Sequence, residues 1–355
     1  MNSRSLRKTS AAIIALSAMS LGSQTIYSPA FAGGTEAEQH MQKATELFMK
    51  RKLKAATSEF REVIRLEPDN AKAHVRLASA LAAQDEYETA ILECKQAMKL
   101  DPKYYFPHII LGQIYANTKK MKEAAAEFEI AVKLKPDTFK GHMDLGLAYS
   151  RLSDLDNAIK AYSKAAELKP KSAMPQNNLA IMYGSKGNFD KAIVAAKKSV
   201  ELMPNSPVTR LTLANVYADA NKVDEAIAAY KDVLKISSKH PLAHSGLGWM
   251  YEKKGDYKEA INEQKKALKA YPGYSRARYR MAASMAKAGD SKGAEKEFKK
   301  AIETKPLDLA SMVEYGKFLQ QNGRKNEAKV QYEAVLKISP ENEMAKKAMS
   351  SLAGG

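Results

Sequence analysis

Cysteine is nearly missing from this chain: one residue, Cys94, in 355. No internal disulfide can form, so the fold stands without one. Glycine (18) and proline (13) are too few for a collagen-like or linker-like chain, and the 45% hydrophobic content excludes wholesale disorder. Long apolar runs are scarce. The longest, Ala11–Leu21, has 11 residues, against about 20 needed to cross a bilayer. Nucleophile and phosphate motifs are missing too: no G-x-S-x-G, no H-E-x-x-H and no P-loop glycine run. Acidic residues are in deficit, 40 against 57 Lys and Arg, for a formal charge of +17. Such an excess favours anionic partners and says nothing about fold.

What is present starts with an address. Arg4, Arg7 and Lys8 precede the apolar run, and Ala30-Phe31-Ala32 follows it as an A-x-A site. Residues 1–32 are therefore expected to be a secretory signal peptide, cut between Ala32 and Gly33. Its removal takes away three positive charges and lowers the formal charge to +14. The expected location is exported, either periplasmic or secreted, with no transmembrane segment.

The remaining chain is too long for one ordinary core, which stops growing near about 250–300 residues. It is periodic instead. Pro68, Pro102, Pro136, Pro170, Pro204, Pro272, Pro306 and Pro340 fall on a comb of period 34, broken only at Ser238. Ala56, Ala90, Ala124, Ala158, Ala192, Ala226, Ala260, Ala294 and Ala328 form a pure alanine column. Leu77, Leu111, Leu145, Leu179, Leu213 and Leu247 form another, each followed by Gly or Ala. Tyrosines at 115, 149, 183, 217 and 251, and aromatics at 60, 128, 162, 230, 298 and 332, add two more.

Each period predicts two short helices. In 241–274, Leu247, Gly248 and Tyr251 share a face, and Gly255-Asp256 breaks the chain. Glycine would supply the left-handed residue and Asp256 would cap the next helix, which buries Ala260, Ile261, Ala267 and Leu268. The breaker recurs as Gly187-Asn188, Gly289-Asp290 and Gly323-Arg324. The small residues let helices approach closely, with a facing aromatic filling the gap.

This pattern resembles the tetratricopeptide repeat, with its L-G, Tyr, Ala, Phe and Pro signature at period 34. The resemblance covers nine repeats, residues 37–342. A linker, 33–36, precedes them, and 343–355 is expected to form a short capping helix and tail. The implied fold class is all-α: a right-handed superhelical solenoid of antiparallel helix pairs, with a concave groove lined by the first helices. Departures are few. Lys43 stands where leucine is usual. Cys94, Ala196 and Gln264 replace the second-helix aromatic, and looser packing is expected there.

His40, His74, His108, His142 and His244 share one slot of the repeat. Equivalent helices lie about 10 Å apart, and zinc ligands must come within about 2.1 Å of the metal. One histidine per repeat cannot share an ion, so packing is the expected role. His240 and His244 could form half a site, but no third ligand is evident. Cys94 reads as a small core residue, and the paired carboxylates as exposed partners of lysines. No catalysis, metal or cofactor is expected.

The basic excess peaks in 275–308, which carries nine Lys and Arg against five acids. Nucleic acid is not an expected partner, because no recognised module or interleaved aromatic pattern accompanies the charge. Function is expected in the groove. Its middle has Phe106, Ile109, Met143, Leu147, Met174, Ile181, Val208 and Leu211, with Asn177, Asn178 and Asn215 as polar exceptions. Asparagine offers donor and acceptor to a peptide backbone. Leu242, Trp249, Arg276, Tyr279 and Arg280 continue the face. Ser245 and Gly246 leave small slots beside Trp249, so a hollow is expected there; an aromatic floor with two guanidinium groups suits an acidic or C-terminal carboxylate ligand. The bland alternative packs Trp249 against Leu211 and Leu242.

The expected function is an exported, non-catalytic scaffold for protein or peptide partners, some of them acidic. Two competitors are a module binding polysaccharide or the envelope surface through peripheral contact, and an assembly factor for a membrane complex. The Lys and Asn pair by which some family members hold acidic tails is absent.

Overall fold

The computed structural model describes residues 34–304 and 308–353. The signal segment 1–32, the Ala32–Gly33 cleavage site, Lys305, Pro306 and the tail 354–355 lie outside the described residues. The described residues form nineteen α-helices and no strands. In chain order they are α1 (Glu36–Met49), α2 (Leu53–Leu66), α3 (Ala71–Ala82), α4 (Tyr87–Leu100), α5 (Phe106–Asn117), α6 (Met121–Leu134), α7 (Phe139–Arg151), α8 (Leu155–Leu168), α9 (Ala173–Ser185), α10 (Phe189–Leu202), α11 (Pro207–Asp219), α12 (Val223–Ile236), α13 (Pro241–Lys254), α14 (Tyr257–Ala270), α15 (Ser275–Lys287), α16 (Ser291–Thr304), α17 (Leu309–Gln321), α18 (Lys325–Ile338) and α19 (Glu343–Ala353). The first helix starts inside the expected 33–36 linker. Thr35 caps it, in a capping box with Glu38.

Two compact units divide the chain, 1–182 and 183–355, with the boundary inside α9. Each is an all-α solenoid segment in which consecutive helices pack as pairs. The links within pairs are too short for any arrangement but an antiparallel one: α13 and α14 are joined by Gly255 and Asp256 alone. First helices of successive repeats also touch, as α3 does α5 in the first unit and α11 does α13 in the second.

The alanine column and five of the six leucines read from the sequence are in the core, while Leu213 and the tyrosines at 115, 149, 183, 217 and 251 are partly buried. All nine alanines of the pure column are fully buried. Leu77, Leu111, Leu145, Leu179 and Leu247 are buried as well. Small residues face rings as expected: a Cβ on Gly146 would lie 2.6 Å from Tyr162 Cε1, and one on Gly112 or Gly316 would strike Phe128 or Tyr332. Where the aromatic is replaced, the side chain stays buried. Gln264 is 1% exposed and its amide nitrogen donates to Ser245 O at 3.0 Å, while its Oε1 has no partner.

The breaker slot is occupied in every repeat by a left-handed residue. Gly187, Gly255, Gly289 and Gly323 have φ between +76° and +93°. The other five repeats use Arg51, Asp85, Lys119, Ser153 and Asn221, at φ between +57° and +66°. Asn188 caps α10 through Lys191 N, but Asp256 makes no side-chain cap, contrary to expectation. At the C-terminal end α19 lays Ala345 and Ala348 on the cluster that contains Tyr332 and Val335.

Candidate functional site

The second unit brings most of the expected site residues together on the face of its first helices. Leu211 and Asn215 stand one turn apart on α11, Trp249 on α13, and Arg276, Tyr279 and Arg280 on α15. Trp249 is half-buried and packs with Leu211 against a core of Tyr230, Leu247 and Met250. Leu242 stays 46% exposed. The hollow expected beside the ring is filled, because Tyr230 packs against Gly246 and Ser245 is buried.

Two cations cover the indole. The Arg280 guanidinium carbon lies 4.5 Å from the ring centre and Lys253 Nζ lies 4.7 Å from it. The ring quadrupole attracts both, by about 0.5–1 kcal/mol each at exposed sites. Lys253 also donates to Asn221 Oδ1 at 2.9 Å. Desolvation pushes the nearby Asp219 carboxyl up, against the pull of Lys253 and Arg280. Among the described residues no carboxylate within 4.0 Å pairs with Arg276, Arg280 or Lys253. The patch is therefore an aromatic ring under two cations that make no ion pair, with Lys253 hydrogen-bonded to Asn221 and the Asp219 carboxyl within the electrostatic reach of both.

Lys253 and Asp219 belong to this site although the sequence analysis did not single them out. The signal was available: Lys253 follows Trp249 by four residues, and Asp219 follows Asn215 by four, so each continues the same helical face. Tyr279 is half-buried and packs against the C-terminal core cluster; burial pushes its hydroxyl up, against Arg280 and Arg276.

The asparagines depart from expectation. Asn215 Oδ1 accepts from the buried Tyr230 hydroxyl at 2.7 Å, which leaves its amide NH2 and one lone pair of Oδ1 for a ligand. Asn215 thereby satisfies a buried tyrosine, whose hydroxyl needs a partner. In the first unit, burial pushes the Tyr162 hydroxyl up to about 12, and the Asn178 side chain beside it acts in the opposite direction. Asn177, also in the first unit, keeps a buried Oδ1 with no partner.

The histidine slot is structural. His74, His108 and His244 each point Nδ1 at a glutamate nineteen residues on, at 2.6–2.7 Å. Those glutamates, Glu93, Glu127 and Glu263, recur in phase with the histidines, a signal the sequence analysis passed over. Glu263 also corrects the expectation of exposed carboxylates, being 6% exposed. Its neighbours act against each other. Burial pushes the Glu263 carboxyl up, and hydrogen bonds and charge from His244 and Lys266 together outweigh it and hold it down. His240 Nδ1 accepts from Ala243 N at 3.3 Å as the cap of α13. Cys94 is buried, and desolvation pushes its thiol far up. Among the described residues no group of three His, Cys, Asp or Glu could hold a metal, and no helix is long and apolar enough to cross a membrane.

Family models described as tetratricopeptide repeat match residues 41–105 and 211–275, 251–312, and 108–138 and 309–342. A model of anaphase-promoting complex, cyclosome, subunit 3 matches 152–233. No curated protein matches the chain. Among solved structures, the APC/C Cut9–Hcn1 hetero-tetramer superposes with TM-score 0.53 at 18% identity, over 80% of this chain and 56% of that one. This chain thus spans little more than half the length of that relative. A tetratricopeptide repeat protein from Parabacteroides merdae gives 0.51 at 18%, over 71% of this chain and all of that one. The human IFIT1 dimer with m7Gppp-AAAA gives 0.57 at 16%, over 99% and 85%. At these identities the likeness is one of fold.

Proposed function

The chain belongs to the tetratricopeptide-repeat family, and from that premise we propose that it is an exported, non-catalytic scaffold whose second unit docks an acidic segment of a protein partner on the face around Trp249. The family fold is typically a scaffold for protein–protein interaction. The observation that carries the finer reading is the indole under Arg280 and Lys253, with Arg276 one turn away and no carboxylate pairing them. Unpaired cations beside an apolar ring are ready to accept carboxylates without first breaking an ion pair. A polysaccharide would instead stack on the indole, and the two cations already cover it; this favours the acidic partner over the glycan-binding reading. Docking onto a membrane complex through an acidic protein segment uses the same face.

The test uses the mature chain as bait for the exported fraction, and then the captured partner with variants. Trp249→Ala and Arg280→Glu should each weaken binding at least about tenfold with helical content unchanged, since buried aromatic and arginine anchors typically cost about 2 kcal/mol or more. Trp249 fluorescence should shift on binding. Normal binding by both variants and a static emission would remove the site from this face.

A further inference from the structure

Arg276 and Arg280 account for only part of the basic excess in 275–308; four of its lysines lie on α16. Their direction follows from what the helix buries. α16 buries Ala294, Phe298 and Ala301, and a helix turns about 100° per residue, so Lys292, Lys296 and Lys299 stand on the opposite side with Lys300 beside them. α14 buries Ala260, Gln264 and Ala267, which sets Lys258, Lys265 and Lys269 outward, again with Lys266 beside them. All of these lysines are exposed. α14 and α16 both pack on α15, so the two outward stripes belong to one surface of the second unit.

An ordinary solvated face mixes its charges, and this one does not. The acids on it are Glu303 and, at its edge, Glu259. Glu263 and Glu295 take Lys266 at 2.6 Å and Lys299 at 2.9 Å. Among the described residues Lys258, Lys265, Lys269, Lys292, Lys296 and Lys300 make no ion pair within 4.0 Å. Lys292, Lys296 and Lys300 stand four apart, and like charges at that spacing destabilise a helix, so helix stability does not account for them. One slot extends the stripe: Lys197, Lys231, Lys265 and Lys299 recur at period 34 through four successive repeats of the second unit. The first unit has Arg61, Lys95, Glu129 and Ser163 in that slot.

The side chains say what kind of anion fits. Lysine carries a compact, hydrated charge on a flexible stem, whereas the arginine fork selects one planar carboxylate or phosphate. Neither helix has an arginine, and no large apolar or aromatic side chain on either is exposed. Single-stranded nucleic acid needs stacking rings, and a glycan site uses them as well. What remains is charge without fixed geometry, which suits a surface dense in negative charge.

We propose that the outward stripes of α14 and α16 form a peripheral docking face for a lipid bilayer that carries anionic headgroups. Each lysine near such a surface strengthens binding about fivefold. The attraction fades within a Debye length, about 10 Å at 0.1 M salt. No side chain on the face inserts into the bilayer, so docking is reversible and salt-sensitive. The face is built on second helices, while Trp249, Arg276 and Arg280 stand on first helices.

Co-sedimentation of the full mature chain, which lacks the apolar run 11–21, with lipid vesicles tests this. At about 50 mM salt it should bind vesicles of phosphatidylcholine with about 30% phosphatidylglycerol, ignore phosphatidylcholine alone, and be released above about 500 mM salt. The Lys265→Gln, Lys269→Gln, Lys296→Gln, Lys300→Gln variant should bind the anionic vesicles at least about a hundredfold more weakly. It removes no ion pair and relieves like-charge contacts, so its stability in urea should equal or exceed that of the natural chain. The control removes the same charge from the first unit, where Glu88 and Glu129 intersperse the outward lysines. With Lys95, Lys99, Lys122 and Lys133 changed to Gln, binding should stay within about fivefold of natural. Unchanged binding by the first variant, equal loss in both variants, or equal binding to phosphatidylcholine alone overturns the proposal. A chain that ignores the anionic vesicles and binds alginate also overturns it, and makes the face a polysaccharide site.

Discussion

At the scale of single residues, the breaker slot stores the plainest strain. A non-glycine residue in left-handed conformation costs about 1–2 kcal/mol, and five repeats place one there. Lys119, at φ +66°, lacks the short polar side chain that eases this for Asp85 and Asn221. Lys119→Gly should therefore raise stability, by up to about 1 kcal/mol once the extra backbone entropy of glycine in the unfolded chain is subtracted. Urea denaturation of both chains checks the sign. A second residue governs the acid limb. Hydrogen bonds from Arg324, then Lys299, hold the Glu295 carboxyl down to about 2. Its folded value is depressed, so its contribution is present above the ordinary carboxylate value of about 4.3 and is lost as pH falls from there toward 2. Glu295→Gln should flatten the fall in stability across that window, and acid titration followed by circular dichroism reads it. An unchanged slope would mean that Glu295 is not a source of the acid response.

At the scale of elements, each helix pair is held at a crossing where one partner has almost no side chain. Ala226 on α12 is fully buried in the cluster with Tyr230, Ala243 and Leu247. Ala226→Leu overpacks that crossing and should cost roughly 1–3 kcal/mol. Hydrogen exchange should quicken most in α11 to α14, because each pair is stabilised mainly by its nearest neighbours. Loosening spread evenly through the second unit would argue for one cooperative core there. The same scale explains the missing cap at Asp256. A left-handed residue at Gly255 already turns the chain into α14, and Gly255 N and Asp256 N are bonded to backbone carbonyls of α13, so the turn forms without the carboxylate.

At the scale of the whole molecule, helices contact chiefly their neighbours in sequence, which is why a nine-repeat chain holds together without a disulfide or a single large core. Among the described residues Arg276, Arg280 and Lys253 make no ion pair within 4.0 Å, and Arg280 and Lys253 meet at Trp249. Export is the remaining claim at this scale, and it rests on the residues before the repeats. N-terminal sequencing of the exported protein should begin Gly-Gly-Thr; a start at Met1 would refute the cut after Ala32.

The sequence by itself determined the period, the two helices of each repeat, the buried alanine and leucine columns and the glycine–ring contacts. It could do so because a repeat imposes one packing environment nine times, and burial in it is set by residues a few turns apart. It also held the glutamate partners of His40, His74, His108 and His244, in plain view at a spacing of nineteen, but no helical periodicity points across a pair of helices to those residues. The tertiary structure alone decided that Asn215 accepts from Tyr230, that Tyr230 fills the space at Gly246, and that Arg280 and Lys253 reach Trp249 instead of a carboxylate. These depend on where the ends of long side chains come to rest against neighbouring turns and helices, from four residues away for Lys253 and Trp249 to 31 for Arg280 and Trp249, and a long side chain has many rotamers among which only the packed neighbours choose.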